Sequence, residues 1–217
     1  MNKPDITQDK IVTLCDKKFL KFFDIQYAEG RHYFEATRRS RENLVAIKSE
    51  EELKNMLPDA VTVSVVLHVK NEKPKLLMSY EFRYPVAQYM LSPVAGLIDP
   101  EDIEGGNPLI TSAIREINEE TGIVVRDTDK ITVLNPCSFT SPGMTDESNA
   151  FLRADIYRDD ISELNHDGAV GGELFGDFVM LDREAVKEIY KTGRDSNGAF
   201  FSLETWVLLA DFLLSEQ

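Results

Sequence analysis

Apolar and polar positions along the chain fall into two regimes, one dense in aromatics and short-period, the other broad enough to build a large core. Residues 19–48 interleave aromatic or branched side chains with polar ones around turn signals at Glu29-Gly30 and Ser40-Arg41, which predicts a small antiparallel meander. An acidic stretch over 49–56 follows as a short helix or turn. Residues 60–69, AVTVSVVLHV, read as a buried central strand, and the turn residues 71–74 lead into a second strand over 75–82. Residues 93–107 are rich in Gly, Pro and acid, the composition of a loop. Asn107 and Pro108 then supply an N-cap and a first-turn proline for a helix that runs to about Thr121 and stops at Gly122. Strands are predicted over 131–136 and 150–157, with the irregular loop SFTSPGMTDES between them, and again over 174–181. Asp182 caps a helix to Lys191, and an apolar helix over 202–214 carries Trp206. The acidic, glycine-containing stretch 158–172 reads as a solvated loop, and the chain has neither an internal repeat nor a low-complexity tract.

The helix ending at Gly122 carries the candidate chemistry. Glu116, Glu119 and Glu120 stand at i, i+3 and i+4, so they share one face, while Ile110, Ile114 and Ile117 are expected on another, against the core. Three carboxylates in one patch repel each other unless a cation neutralises them. Their hard oxygens favour magnesium or manganese over zinc. Arg115, one turn before Glu119, is placed to brace that carboxylate by an ion pair.

Charge and composition narrow the function. With 38 acidic against 24 basic residues, the 217-residue chain has a formal charge of -14, which argues against a surface for nucleic acid or anionic membranes. The opening residues MNKPDITQDK hold no apolar stretch of signal-peptide length, and no run reaches the roughly 20 apolar residues of a membrane span, so a cytoplasmic protein is expected. Cys15 and Cys137 stand far apart with no C-x-x-C spacing, which suggests neither a disulfide framework nor a zinc site. His32, His68 and His166 are scattered, and His68 within its apolar run is read as structural.

Two motifs together point to a family. The stretch Ala95-Gly96-Leu97-Ile98-Asp99, followed by Arg115-Glu116-Ile117-Asn118-Glu119-Glu120-Thr121-Gly122-Ile123, resembles the loop-helix signature of the Nudix hydrolases and matches each fixed position of its second half, R-E-U-x-E-E-x-G-U. The first half departs from it: Asn107 stands where the pattern has glutamate, and Gly96 lies eleven positions before Asn107 instead of six, an insertion of five residues. Glu101, Asp102 and Glu104 are candidates to replace the missing carboxylate. The second motif, Ser141 to Glu147, is similar to the S-P-G-x-x-D-E loop of the ADP-ribose pyrophosphatases.

This resemblance implies an α/β fold, an α/β/α sandwich with a mixed β-sheet over 58–217, preceded by a small antiparallel β subdomain over 1–57 that serves dimerisation and base contacts. It implies Glu116 and Glu120 as principal ligands of Mg2+ (or Mn2+), helped by Glu119 and the Ala95 carbonyl, and Glu147 as general base. The stretch Tyr33 to Arg39 resembles an aromatic-Glu strand ending in arginine in that group. By that likeness Phe34 and Phe19 would stack on adenine, Glu35 would accept from its amino group, and Arg39 would reach phosphate or ribose. Likewise Tyr80 to Pro85 resembles a strand end that places an arginine, here Arg83, near the diphosphate. The implied reaction is metal-dependent hydrolysis of a nucleoside diphosphate sugar in a homodimeric enzyme, with ADP-ribose giving AMP and ribose 5-phosphate. Another NDP-sugar, a dinucleotide or an NTP keeps the same chemistry, and a catalytically weak nucleotide sensor is the alternative of a different class.

Overall fold

A computed structural model of the chain describes residues 3–162, 164–169 and 172–215. The chain divides into two compact units, one formed by residues 1–59 with 137–149, the other by 60–136 with 150–217. The loop 137–149 therefore groups with the N-terminal segment, although it lies far from it in sequence.

The first unit contains a three-stranded antiparallel sheet in the order β1 (Ile11–Asp16), β2 (Lys21–Ala28), β3 (Arg31–Thr37). The meander thus begins eight residues earlier than its sequence pattern suggests, and 41–47 form two single 3-10 turns in place of strand. Alternation in β1 is hidden because Val12 and Leu14, on the outward face, are apolar as well. Ile11, Phe23 and Leu44 are buried together as its small core, with Ile47 packed against them. The acidic stretch forms a one-turn helix, α1 (Glu50–Lys54), because Ser49 caps the Glu52 N–H while the Glu52 carboxylate accepts the Ser49 N–H.

The second unit is built on a seven-stranded sheet. Strands β4 (Ala60–Val69), β5 (Lys75–Arg83), β6 (Gln88–Ser92), β7 (Val94–Leu97), β8 (Lys130–Phe139), β9 (Ser148–Arg158) and β10 (Phe175–Leu181) are ordered β10-β5-β4-β9-β8, with β6 on β5 and β7 on β4. The sheet is mixed. The pairs β4–β5, β4–β7, β5–β6 and β5–β10 are antiparallel, whereas the Asp59 N–H donates to Ser148 O and the Lys70 N–H to Arg158 O, so β4 and β9 start and end together.

Alternation along β4 divides the core between two faces. Val61, Val63, Val65 and Leu67 join Ala113 and Ile117 of helix α3 (Pro108–Thr121), while Val66 joins Val186, Ile189, Leu209 and Phe212 of α4 (Arg183–Thr192) and α5 (Leu203–Leu214). Helices on both faces of a mixed sheet make an α/β/α sandwich. Its helix α3 starts and stops as the sequence dictates: Asn107 Oδ1 accepts from the Leu109 N–H, Pro108 occupies the first turn, and Gly122 closes it at φ +73°.

Two expectations fail in this unit. Residues 93–107 are not one loop but hold β7 and a five-residue helix, α2 (Pro100–Glu104), because β7 pairs with β4 from Ala60 to Val63 and the Asp102 carboxylate accepts the Asp99 N–H at the start of α2. Ile114 is exposed, so the core face of α3 runs through Leu109, Ala113 and Ile117; the side with Glu116 and Glu120 is buried too. The solvated-loop expectation over 158–172 includes residues 163, 170 and 171, which lie outside the described residues. Its described part is engaged, since the Asn165 N–H donates to Thr121 O and His166 hydrogen-bonds to Glu120 O at 2.6 Å.

Candidate active site

In the second unit, a cleft of about 200 Å³ is lined by Gly96, Leu97, Asp99, Arg115, Glu116, Glu119, Glu120, Ala169 and Glu173. Strand β7 forms one wall and α3 the other. The two come close because residue 96 has no side chain: a Cβ there would fall 1.8 Å from Glu116 Oε1. Next to it, the Ala95 N–H points at Glu120 Oε1 at 3.4 Å.

Arg115 organises the carboxylates. Its Nη1 donates to Glu116 Oε1 at 2.7 Å and to Glu119 Oε2 at 3.1 Å, and its Nη2 donates to Leu97 O at 2.8 Å. Its other side grips Asp102, Nη2 to Oδ2 at 2.9 Å and Nε to Oδ1 at 3.3 Å, with Asp99 at 3.6 Å. Of the three insertion carboxylates named from sequence, Asp102 is therefore the one that reaches the motif arginine, and it is almost wholly buried. The short helix α2 exists in the inserted segment and carries that contact.

Electrostatics separate these groups. Burial opposes ionisation of Asp102, but hydrogen bonds from Arg115 prevail and hold its carboxyl below the usual range. Glu116 is pushed up to about 7 by burial, against the pull of Arg115. Glu120 rises well above its ordinary value, first through burial and then through the charge of Glu116, with the Ala95 N–H opposing. Glu81 on β5 is also raised, by burial and by Glu173, although Arg83 lies 2.6 Å away. Neither Glu81 nor Glu173 stands out in the sequence; Glu173 lines the cleft, and the charges of both act on Glu120.

Such a set of buried, mutually repelling oxygens suits a hard divalent cation. Among the described residues, no group of three His, Cys, Asp or Glu side chains converges on a single point that could hold an ion. Arg115 Nη1 holds one oxygen each of Glu116 and Glu119. The donor chemistry fits the ion, with one oxygen of each of these two carboxylates engaged by Arg115.

The remaining sequence candidates, Arg83 apart, belong to the first unit. Glu147 accepts from Arg38 Nε at 3.0 Å. Glu35 lies in a cavity of about 250 Å³ lined also by Ile25, Tyr33, Val45, Phe139, Met144 and Asp146. Its Oε2 is buried without a hydrogen-bond partner, and burial together with the charge of Asp146 pushes its carboxyl up to about 7, against Arg39. Asp146 is fixed by the Thr37 hydroxyl at 2.6 Å and the Val45 N–H at 3.0 Å. Three details alter the expected base pocket. Phe34 points to the face of β3 opposite Glu35 and is 55% exposed, so within one chain a single base cannot touch both. Its ring partner is Phe22 at 5.9 Å, and Phe19 is 68% exposed with Lys18 over its ring. Arg39 is spent internally, with Nη2 donating to Asp59 at 2.7 Å and Nε 3.6 Å from Asp146.

No protein-family model matches the chain. It is 31% identical over 99 residues to an ADP-ribose pyrophosphatase of Saccharomyces cerevisiae, covering 45% of this chain and 39% of that protein. It is 32% identical over 136 residues to putative Nudix hydrolase 2 of Caenorhabditis elegans, covering 62% and 57%, and 31% identical over 98 residues to an uncharacterized Nudix hydrolase of Schizosaccharomyces pombe, covering 45% and 43%. The chain thus spans about half the length of the curated relatives it matches. In structure it superposes on a crystal structure of an ADP compounds hydrolase with a TM-score of 0.57 at 17% identity, covering 98% of this chain and 95% of that one, which shows a shared fold. In sequence the chain is thus similar to two proteins named as Nudix hydrolases and to one named as an ADP-ribose pyrophosphatase.

Proposed function

We propose that the chain hydrolyses the diphosphate bond of a nucleoside diphosphate joined to another moiety, with ADP-ribose giving AMP and ribose 5-phosphate. The observation that carries this reading is the α3 cleft, where Glu116 and Glu120 are buried and repel each other beside an alanine-glycine turn of β7. Glu116, Glu119, Glu120 and the Ala95 carbonyl would hold Mg2+, or Mn2+ in its place. A bound divalent ion supplies charge neutralisation on the phosphoryl oxygens and acidifies a water.

The protein's own groups do the rest. Arg115 orients Glu116 and Glu119 through its Nη1, and Asp102 orients Arg115 in turn. The proton from the attacking water goes to a carboxylate on a separate loop, Glu147 by resemblance. Glu173 is a second candidate because it lines the cleft itself. Glu35, with an unpartnered oxygen at the edge of an apolar cavity, suits an amino group such as that of adenine, and Arg83 on β5 suits a phosphate.

A nucleotide-binding sensor without turnover is the second reading, favoured by the occupation of two ligand oxygens by Arg115. A homodimer through the β1–β3 sheet is also proposed, supported by its exposed Val12, Leu14, Phe22 and Phe34; sedimentation of the protein tests it. The deciding experiment is magnesium-dependent release of AMP from ADP-ribose, with Glu120→Gln, Glu147→Gln and Glu173→Gln in parallel. Tight ADP-ribose binding with no magnesium-dependent turnover by the wild type selects the sensor. A Glu120→Gln protein that keeps full activity refutes the clamp, and whichever loop variant loses turnover identifies the base.

A further inference from the structure

The last carbonyls of a helix have no partner inside it, and α3 ends among the carboxylates of the cleft. Two of these carbonyls are taken by residues far along the chain. The Asn165 N–H donates to Thr121 O at 3.0 Å, and His166 Nδ1 lies 2.6 Å from Glu120 O. The same imidazole reaches the sheet, with Nε2 3.0 Å from Gly176 O on β10. Its ring stacks on Phe175 and Phe178, with centroids 4.8 and 3.9 Å away and planes 10° and 20° apart. Phe178 packs into the core on the α3 side of the sheet, so His166 lies on the same side as the cleft.

Backbone contacts extend this junction to the cleft itself. The chain at Gly168 runs so close to α3 that a Cβ there would fall 2.7 Å from Glu119 Cα, and Ala169 belongs to the cleft lining. On the sheet side, the Phe82 N–H of β5 donates to Leu174 O at 2.9 Å. Glu173 precedes that anchored residue and lines the cleft, where its charge acts on Glu116 and Glu120. His166 therefore ties the main chain of one ligand candidate to the main chain three residues past Glu173.

We infer that His166 is a positioning residue: by joining Glu120 O at the end of α3 to Gly176 O on β10, it fixes the distance between the α3 carboxylates and Glu173. The inference rests on the hydrolase reading and deepens it, because it makes Glu173 the group that takes the proton of the attacking water. The water oxygen bonds to one phosphorus as the bridging P–O bond breaks, and the water proton passes to the Glu173 carboxylate. Such a transfer needs hydrogen-bond reach, so a displacement of about 1 Å costs on the order of a hundredfold in rate. His166 acts through Glu173.

The test is a double-mutant cycle on magnesium-dependent release of AMP from ADP-ribose. His166→Phe keeps a ring to stack on Phe175 and Phe178 but has no nitrogen for the two carbonyls. It should lower kcat about 10–100-fold and leave KM within about twofold of wild type. In Glu173→Gln protein, itself slowed by about 10²–10⁴ in kcat, the same change should cost less than about twofold, because the group it positions is already disabled. Circular dichroism establishes that each variant is folded at the assay temperature; if His166→Phe is not, His166→Leu takes its place with the same expectation. An unchanged kcat, a loss that falls mainly on KM, or a loss of equal size in the Glu173→Gln background overturns the positioning role while the hydrolase reading stands. A wild type that releases no AMP with magnesium removes the hydrolase reading, and the positioning role with it.

Discussion

Replacing Asp102 with Ala tests whether the inserted helix α2 took over a role in bracing the catalytic helix. Asp102 makes two hydrogen bonds to the Arg115 guanidinium, at 2.9 and 3.3 Å, and accepts the Asp99 N–H at 2.9 Å. A charge-assisted bond of this kind contributes about 1.5–3 kcal/mol, and a helix-start acceptor about 1 kcal/mol. The summed loss, about 2.5–4 kcal/mol, corresponds to a fall in Tm of about 5–15 °C for a chain of this size. Asp102→Asn retains an acceptor for the Asp99 N–H but not the charge, so it should show roughly half that fall. Activity should drop in both, because a freed Arg115 no longer fixes Glu116 and Glu119; groups that orient metal ligands are typically worth about 10–100-fold. Thermal melts followed by circular dichroism, with kcat/KM on the working diphosphate substrate, measure both effects. An Asp102→Ala protein that melts within about 2 °C of wild type and keeps its kcat/KM would falsify the bracing role.

Other changes have distinct signatures. Gly96→Ala puts a methyl group on the Glu116 carboxylate; a flexible side-chain end can move aside, so the fold should survive while activity falls about a hundredfold, and a variant with normal kinetics contradicts the close approach. Gly168→Ala meets backbone instead, at 2.7 Å from Glu119 Cα and O, and should lower Tm by several degrees, which a melt checks. Glu35, raised from 4.5 to about 7, binds more protons in the folded than in the unfolded state between those values, so its contribution to stability declines as pH rises from about 4.5 to 7, by roughly 3 kcal/mol as an upper bound. Urea denaturation at pH 5 and pH 8 should show that decline shrinking in Glu35→Gln; an identical pH dependence in the variant excludes Glu35 as its source. Glu120→Gln should lose activity by orders of magnitude yet match or exceed wild-type Tm at pH 8 in metal-free buffer, because a buried charge is removed. A much lower Tm there counts against the repulsion.

Elements with strong local signals were legible in the chain. Asn107-Pro108 and Gly122 bound α3, the run from Ala60 forms β4, and Asp182 and Ser202 cap the last two helices. Elements that depend on neighbours were not. Strand β7 is four residues containing a glycine and exists because β4 accepts it, and β1 has apolar residues on both faces. The site divides in the same way. Glu116, Glu119 and Glu120 lie within about one turn of one helix and so appear together in sequence, whereas Glu173 reaches the cleft through a distant loop and Glu81 acts on Glu120 from β5. Phe34 and Glu35 are neighbours in sequence that strand geometry sends to opposite faces.

The parallel pairing of β4 with β9 sets a schedule for folding. The backbone at Asp59 meets that at Ser148 across a sequence separation of 89, whereas β1, β2 and β3 close through turns of a few residues. Loop closure of that length is slow, and β4, apolar on both faces, waits for its neighbour while more than one hundred residues have already left the ribosome. During synthesis the meander can therefore form early, but the sheet that buries α3 cannot close until β9 has emerged. The α3-side face of β4 is completed with β9, whereas its other face waits for α4 and α5 as well. The interval of exposure to aggregation accordingly runs from translation of β4 until α5 has emerged, and chaperone dependence should be set across it.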